Sequence, residues 1–363
     1  MGVPAVQRTS PVTRSLFPVP FVVAHQSLTP NNAMKSRSDR DRRCSYVVVH
    51  EDAAASPDDL RSFANHLSTL SVAGCEVIVI DDTPSFDRNR RLFRWVGRHV
   101  APLPRHRALS GAVDPVRGAQ DLASCEKVIV AKSRVRHDAA TVEALCALLD
   151  VHEVVEPQDY YDPLPWWGGI DAGRMLVHRG IEPRANHGAT FGFRRAAVRG
   201  LRGLDALDDG GDDHVRRLQS QGAAVHCAGD LFVRCEPPSI GSWLRERARH
   251  ADDDFALPLK TAFFFALLPV AALLVAFAGA QLASGYAGAL VVGSLALALR
   301  GRAGASSVFP FRAALFAPLW MLERSLSVYW ALLRKLAGRD VVSAHPERER
   351  GAWAEGRREA GSR

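Results

Sequence analysis

At 363 residues, 47% hydrophobic and 23% charged, the chain can bury a full core with a smaller second part beside it, which excludes a disordered polymer. The formal charge of +7 is spread out, with clusters at 35–43 and 245–249. This suits a membrane protein that keeps its basic residues on one side, and it speaks against nucleic acid as a partner. The six cysteines include no CxxC pair and no His-Cys cluster at zinc spacing; several lie in apolar runs and read as reduced core thiols.

Residues 1–45 are polar and irregular, with Pro4, Pro11, Pro18, Pro20 and Pro30 and a basic end, and read as a flexible arm. Their one apolar stretch, 16–24, is too short and too broken by proline to span a bilayer. From Tyr46 onward strands alternate with helices. Residues 46–50 form a run rich in β-branched residues. Ser56 then caps a helix, with Pro57 at its first position and Leu60, Phe63, Leu67 and Leu70 on one face. A second buried strand, 75–80, ends in Asp81-Asp82, and a third, 127–131, leads to a helix over 139–149. Strands that are apolar throughout and separated by helices predict a parallel sheet covered on both faces, with ligands beyond the carboxyl ends of the strands. Glu51, Asp81 and Asp82 occupy those ends, where a carboxylate can accept hydrogen bonds from a ribose or a base, or merely cap the next helix.

Further along come the stretch 188–197 (Gly-Ala-Thr-Phe-Gly-Phe-Arg-Arg-Ala-Ala), Gly203-Leu204-Asp205, Gly211-Asp212-Asp213-His214 and Glu236-Pro237-Pro238. In this order and spacing they resemble the family-2 glycosyltransferases of GT-A fold, over residues 46–335. The resemblance implies a Rossmann-like α/β sheet, mostly parallel and flanked by helices, that binds a nucleotide-sugar donor. On it, Glu51, Asp81 and Asp82 would hold the nucleoside, the 188–197 segment with Arg194 would face the acceptor, and Asp213 would be the catalytic base, with Asp212 next to it. Inverting transfer needs a base to take the proton of the acceptor hydroxyl, while the diphosphate leaves with growing negative charge.

Two motifs depart from the family pattern. The position of the metal-holding DxD is occupied by Lys132-Ser133-Arg134. Two cations cannot hold a divalent ion, though they can meet a diphosphate directly. Three readings stay open: metal-independent transfer, an inactive homologue acting as a membrane-bound partner, or Mg²⁺ or Mn²⁺ held by other residues such as Asp212, Asp213 and His214. The QxxRW motif appears as Glu246-Arg247-Ala248-Arg249-His250, keeping only its arginine, so Arg249 and His250 are acceptor-side candidates. The aromatic loop 159–169, with Trp166 and Trp167, reads either as an acceptor contact or as packing.

Residues 262–283 form an uncharged stretch of 22 residues, long enough to cross a hydrocarbon core of about 30 Å. The sequence then predicts a loop at Ser284-Gly285-Tyr286 and a second, shorter apolar run over 287–299, flanked by Arg300 and Arg302. With basic residues before the first run and after the second, the positive-inside rule gives a helical hairpin over 260–300 with both ends cytoplasmic. A third segment, 308–336, mixes charges with aromatics and reads as an interfacial amphipathic helix broken at Pro318. The expected organisation is an arm over 1–45, a catalytic domain over 46–254, a membrane domain over 255–337 and a polar tail over 338–363. The whole reads as a multi-pass protein of the cell (inner) membrane with its catalytic domain in the cytoplasm, in contact with membrane lipids and acting on a lipid-linked or cell-envelope glycan.

Overall fold

The computed structural model describes residues 42–51, 55–108, 112–182, 189–199, 201, 214–244, 247 and 258–336. The run at 46–50 begins two residues earlier, as strand β1 (Cys44–His50). It lies parallel to β2 (Cys75–Asp81) on one side and to β4 (Lys127–Lys132) on the other. After helix α2 (Phe86–Phe93), a short strand that the sequence did not signal, β3 (Arg98–Val100), extends this parallel set beyond β2. Past β4 the sheet turns mixed: β7 (Thr190–Arg194) runs antiparallel between β4 and β6 (Val154–Tyr161). Then β8 (Val225–Cys235) lies parallel to β6, and the two-residue β5 (Val135–Arg136) pairs antiparallel to β8. The order is β3-β2-β1-β4-β7-β6-β8-β5.

Alternation along the strands builds a core on each face. Tyr46, Val48, Ile129 and Ala131 pack under α1 (Pro57–Val72) and α4 (Ala139–Val151), while Val47, Val128 and Val130 pack with α3 (Pro115–Leu122) on the other side. The predicted cap of α1 is present. Asp59 N donates to Ser56 Oγ at 3.1 Å, and Ser56 N donates back to the Asp59 carboxylate at 3.2 Å. All six cysteines are free thiols.

The aromatic stretch 159–169 is not a loop. Asp159 to Tyr161 complete β6, and Trp166 opens helix α5 (Trp166–Ile181) after Pro165. The glycines of α5 serve a packing role: a Cβ on Gly169 would meet the Phe316 ring at 2.8 Å and one on Gly180 would meet Leu297 O at 2.1 Å, while one on Gly301 of the facing helix would meet Leu176 O at 1.9 Å. Small residues there let two helix backbones touch.

The helix that α5 touches belongs to the C-terminal apolar region. After α6 (Arg195–Arg199) and α7 (His214–Ser220) come α8 (Pro258–Leu273), a π-helical turn (Leu274–Ala278) and α9 (Ala280–Arg302). Two of these helical stretches are long and apolar enough to cross a membrane: Thr261–Ala278, with mean hydropathy 2.4, and Ala280–Arg302, with 1.8. The expected loop at Ser284–Tyr286 is instead helical, and the chain turns five residues earlier at Gly279, whose φ of 85° stops a helix. Ser284 fits inside α9 because its hydroxyl donates to Ala280 O at 2.8 Å. The second apolar helix is therefore 23 residues long rather than short. Beyond it lie α10 (Phe311–Leu315) and α11 (Ala317–Leu336), separated at Phe316 rather than at Pro318. A proline in the first turn of a helix gives up only an N–H that has no partner there in any case.

A third core joins α5 to these helices through Ile170, Leu176, Phe264, Ala298, Phe309 and Trp320. Beneath it, buried Asp171 accepts a hydrogen bond from Trp243 Nε1 at 2.8 Å and one from Arg247 Nη2, and Arg247 also faces Glu323 on α11 at 3.8 Å.

Candidate functional site

The site is built where β1, β2 and β4 end. His50 and Asp81 are register partners, as are Val49 and Lys132, so the residues after these strands share one edge of the sheet. A cavity of about 290 Å³ opens there, with His50, Phe63, Ser133, Arg134 and the segment from Glu236 to Ser239 among its walls. Arg134 O accepts Glu236 N at 2.9 Å, and Arg136 donates to the Glu236 carboxylate at 2.6 Å. The β5–β8 pairing thus locks the Lys132-Ser133-Arg134 turn against the loop that follows β8.

The five predicted donor positions fall into two groups, Glu51, Asp81 and Asp82 after β1 and β2, with Glu51 exposed, and Lys132 and Arg134 after β4. Asp81 is 1% exposed and is enclosed by Thr83 N at 2.9 Å, Thr83 Oγ1 at 2.7 Å, Asn89 Nδ2 at 3.0 Å and His99 Nε2 at 2.9 Å. Burial alone would raise its pKa, but the hydrogen bonds from His99, Thr83 and Asn89 override this and bring the carboxyl down to about 2. With its oxygens engaged in this way, Asp81 organises the loop after β2. Asp82, in the same loop, has a side chain only 5% exposed and makes a two-pronged pair with Arg107, at 3.0 and 2.5 Å. That pair, and then Glu51 nearby, raise the pKa of the Arg107 guanidinium against its partial burial. Lys132 is exposed, and Arg134 is half-buried at the cavity wall. Lys132 N donates to Ala189 O at 2.9 Å, which brings the turn beside the start of β7.

Of the acceptor-side candidates, Trp167 donates through Nε1 to Pro238 O at 3.1 Å, at the cavity rim. Trp166 is 61% exposed and packs edge to face on it at 5.8 Å. Arg194 is not brought to the site. It pairs with Lys127, at the amino end of β4, five strand residues from Lys132 and so about 17 Å away. Asp212, Asp213, Arg249 and His250 lie outside the described residues.

Sequence reasoning missed three groups. One is Arg107, from a connecting segment with no motif. The second is Asp159, 2% exposed on β6, which accepts Ala189 N on one oxygen and has no hydrogen bond on the other. Burial pushes this carboxyl up to about 7, opposed by the Ala189 N–H and by Lys132. The third is the Asp171–Trp243–Arg247 cluster behind the crevice wall, where Arg247 is hidden in sequence within a basic run.

A divalent metal does not fit the turn after β4, since its side chains there are Lys132 and Arg134. Among the described residues no group of three or more His, Cys, Asp or Glu is placed to hold one.

No protein-family model and no curated protein matches the sequence. Among solved structures, the chain is similar to GT-A-fold glycosyltransferases. One is a mannosyltransferase from Pyrobaculum calidifontis in complex with GDP-Man and Mn²⁺, 16% identical over 80% of this chain and 88% of that one, with a TM-score of 0.45. Another is glucosyl-3-phosphoglycerate synthase from Mycobacterium tuberculosis, in complex with Mn²⁺, UDP and glucosyl-3-phosphoglycerate, at 14% identity over 56% and 75% and a TM-score of 0.37. A third is mannosyl-3-phosphoglycerate synthase from Rubrobacter xylanophilus, at 15%, 57% and 72%, with 0.35.

Proposed function

We propose that the chain is a membrane-anchored glycosyltransferase that takes a nucleotide-sugar donor into the crevice at the ends of β1, β2 and β4 and passes the sugar, with inversion, to a lipid-linked or cell-envelope acceptor. The observation that carries this reading is the Lys132-Ser133-Arg134 turn, held by the β5–β8 pairing at the edge of a cavity where a parallel sheet offers its ligand site. Its cations would meet the diphosphate that a metal would otherwise meet, and the leaving group's charge grows against fixed positive charge. Asp213 would take the acceptor's proton, so Asp213→Asn should cut transfer by about 10²-fold or more with donor binding kept.

The apolar surface supports the anchor. Phe263, Val275, Phe277, Leu282 and Val292 on the hairpin are exposed, and Leu319, Leu322, Leu326, Trp330 and Leu333 recur every three or four residues along the outer side of α11. We read the hairpin as two crossings with both ends in the cytoplasm and α11 as lying in the interface. A tag inserted at Gly279 should then report the far side of the membrane, and one after Arg339 the cytoplasm.

Thermal shifts of the full-length protein across nucleoside diphosphates and their sugars, followed by transfer assays in excess chelator, test the proposal. Transfer that persists with chelator supports it; strict dependence on Mn²⁺ or Mg²⁺ overturns its metal-independent part. The pairing of Asp82 with Arg107 favours a second reading, a chain that keeps the crevice without turnover and serves as a membrane-bound partner. Absence of any donor binding or turnover would select that reading.

A further inference from the structure

Helix α2 turns one face inward and leaves the other uncovered. Asn89 and Phe93 are buried, Phe86 stacks on His99 at 4.5 Å, and Leu92 packs against the core under α1. The outer face carries Arg88, Arg90 and Arg91, continued past the helix end by Arg94 and Trp95, and all five are exposed. Counted at about 100° per residue, they share one arc of roughly 160°. Asp87 is the only acid between them. Among the described residues, none of the four guanidinium groups has a hydrogen-bonding or ionic partner. Arg94 lies over the Trp95 ring at 4.4 Å, and Trp95 is itself 56% exposed. The next arginines along the chain are engaged, Arg98 with Leu122 O and Glu76, and Arg105 with Asp121.

Like charges set this close repel one another, and an anionic partner would turn that repulsion into attraction. Trp95 narrows the class of partner. An exposed indole flanked by arginines matches the boundary of a bilayer, where tryptophan collects at headgroup level and guanidinium groups meet lipid phosphates. We propose that the outer face of α2 is a docking surface for the headgroups of anionic phospholipids, a proposal that rests on the membrane-anchored reading of the chain. The topology agrees with it. β2, β1, β4 and β6 all run in one direction. The loop that opens α2 and the start of α5 therefore leave the sheet at the same end, and there Gly169 and Gly173 of α5 touch Phe316 and Ala317 of the apolar helices. Each basic residue near an anionic surface strengthens binding about fivefold, so the arginines add a second hold to that of the hairpin.

The test places the full-length protein in nanodiscs of phosphatidylcholine, alone or mixed with phosphatidylglycerol, with bromine high on the acyl chains as a quencher. Trp95 emission is read as the difference between wild type and Trp95→Phe. It should fall and shift to the blue in the anionic discs relative to the neutral ones. Both effects should vanish in about 1 M salt, where the screening length is about 3 Å. Arg88→Gln/Arg90→Gln/Arg91→Gln should abolish them with thermal stability unchanged, because these side chains are exposed; Arg94 stays, so that the indole keeps its neighbour. Equal emission in the two kinds of disc, or an effect that survives the triple variant or high salt, overturns the proposal. The anchor is read separately, since an apolar hairpin enters both kinds of disc. A chain that enters only anionic discs, and only with its arginines, would keep this surface and overturn the hairpin. One that enters both with Trp95 unmoved would do the reverse.

Discussion

At the ends of β1, β2 and β4 the chain gathers charged side chains around a cavity, whereas between α5 and α9 it removes side chains altogether so that two backbones meet. The first region keeps Lys132 exposed and Arg134 half-buried at the cavity wall, where their charge can meet a ligand. The second hides a carboxylate and a guanidinium, Asp171 and Arg247, under a shell of apolar side chains and backbone contacts. The regions are nonetheless joined, because the segment from Glu236 to Trp243 forms one wall of the crevice and hangs from Asp171 through Trp243. What differs is where a substitution should be felt: as lost affinity in the first region, as lost stability in the second.

The largest effect is therefore expected at Asp171. Asp171→Ala leaves Arg247 buried without its main counter-charge and Trp243 Nε1 without an acceptor, a change that typically costs about 3–5 kcal/mol. Thermal unfolding in detergent should show it. Asp171→Asn, which can still accept from Trp243, should lose less. Equal stability of wild type and Asp171→Ala would mean that the C-terminal helices, not this cluster, hold the crevice wall.

Next comes Asp159, the one buried carboxyl that links the crevice edge to β7. Its folded pKa, about 7, lies above the value of about 4 for a free aspartate. A raised carboxyl is neutral in both states below pH 4. Between about pH 4 and 7 the unfolded chain ionises first, so the protein loses stability as pH rises, by at most about 4 kcal/mol, and the loss levels off above pH 7. Asp159→Asn should flatten that slope while keeping an acceptor for Ala189 N. Denaturant midpoints at pH 5 and pH 8 measure it; an unchanged slope would locate the titration elsewhere.

These two residues also mark the limit of what the sequence reveals. β1, β2, β4, α1 and α4 were legible because their apolar period, their Ser-Pro start and their polar ends are local signals. The antiparallel β7 and the β5–β8 pair were not, since they depend on partners 60 to 100 residues away. Helix α5 was hidden because four glycines in sixteen residues look like a loop until their neighbours across the interface are known. At the site, the turn after β4 lies at the cavity edge, and Asp81 is an internal hydrogen-bond hub whose partners come from outside the strand that carries it. A carboxylate at a strand end can meet a ligand or organise a loop, and the second role shows only in the positions of Thr83, Asn89 and His99.

At the crevice, Lys132→Ala or Arg134→Ala should weaken binding of a nucleoside diphosphate by about 1.5–3 kcal/mol each, the worth of a charge-assisted hydrogen bond. Binding of the bare nucleoside should change far less, since it lacks the charge these residues meet. Thermal stability should hardly move, in contrast with Asp171→Ala. Comparable losses for nucleoside and diphosphate would mean that the turn shapes the cavity rather than supplying its charge.

The smallest expected effect is at Ser56, and it probes the local end of the comparison. Ser56 and Asp59 satisfy each other's backbone N–H groups at the start of α1, whose Asp59, Leu60 and Phe63 line the crevice. Ser56→Ala removes the side-chain acceptor for Asp59 N and should cost about 1 kcal/mol of stability. Pro57 remains at the first helical position, and Phe63, Leu67 and Leu70 still bury against the sheet, so the helix should stay in place. Donor affinity should be unchanged, because nothing that meets the ligand has moved. A loss of affinity as large as the loss of stability would show instead that the amino end of α1 is itself part of the donor site. The contrast between a charged, adaptable crevice and a rigid scaffold would then have to be drawn inside α1 rather than between the two regions.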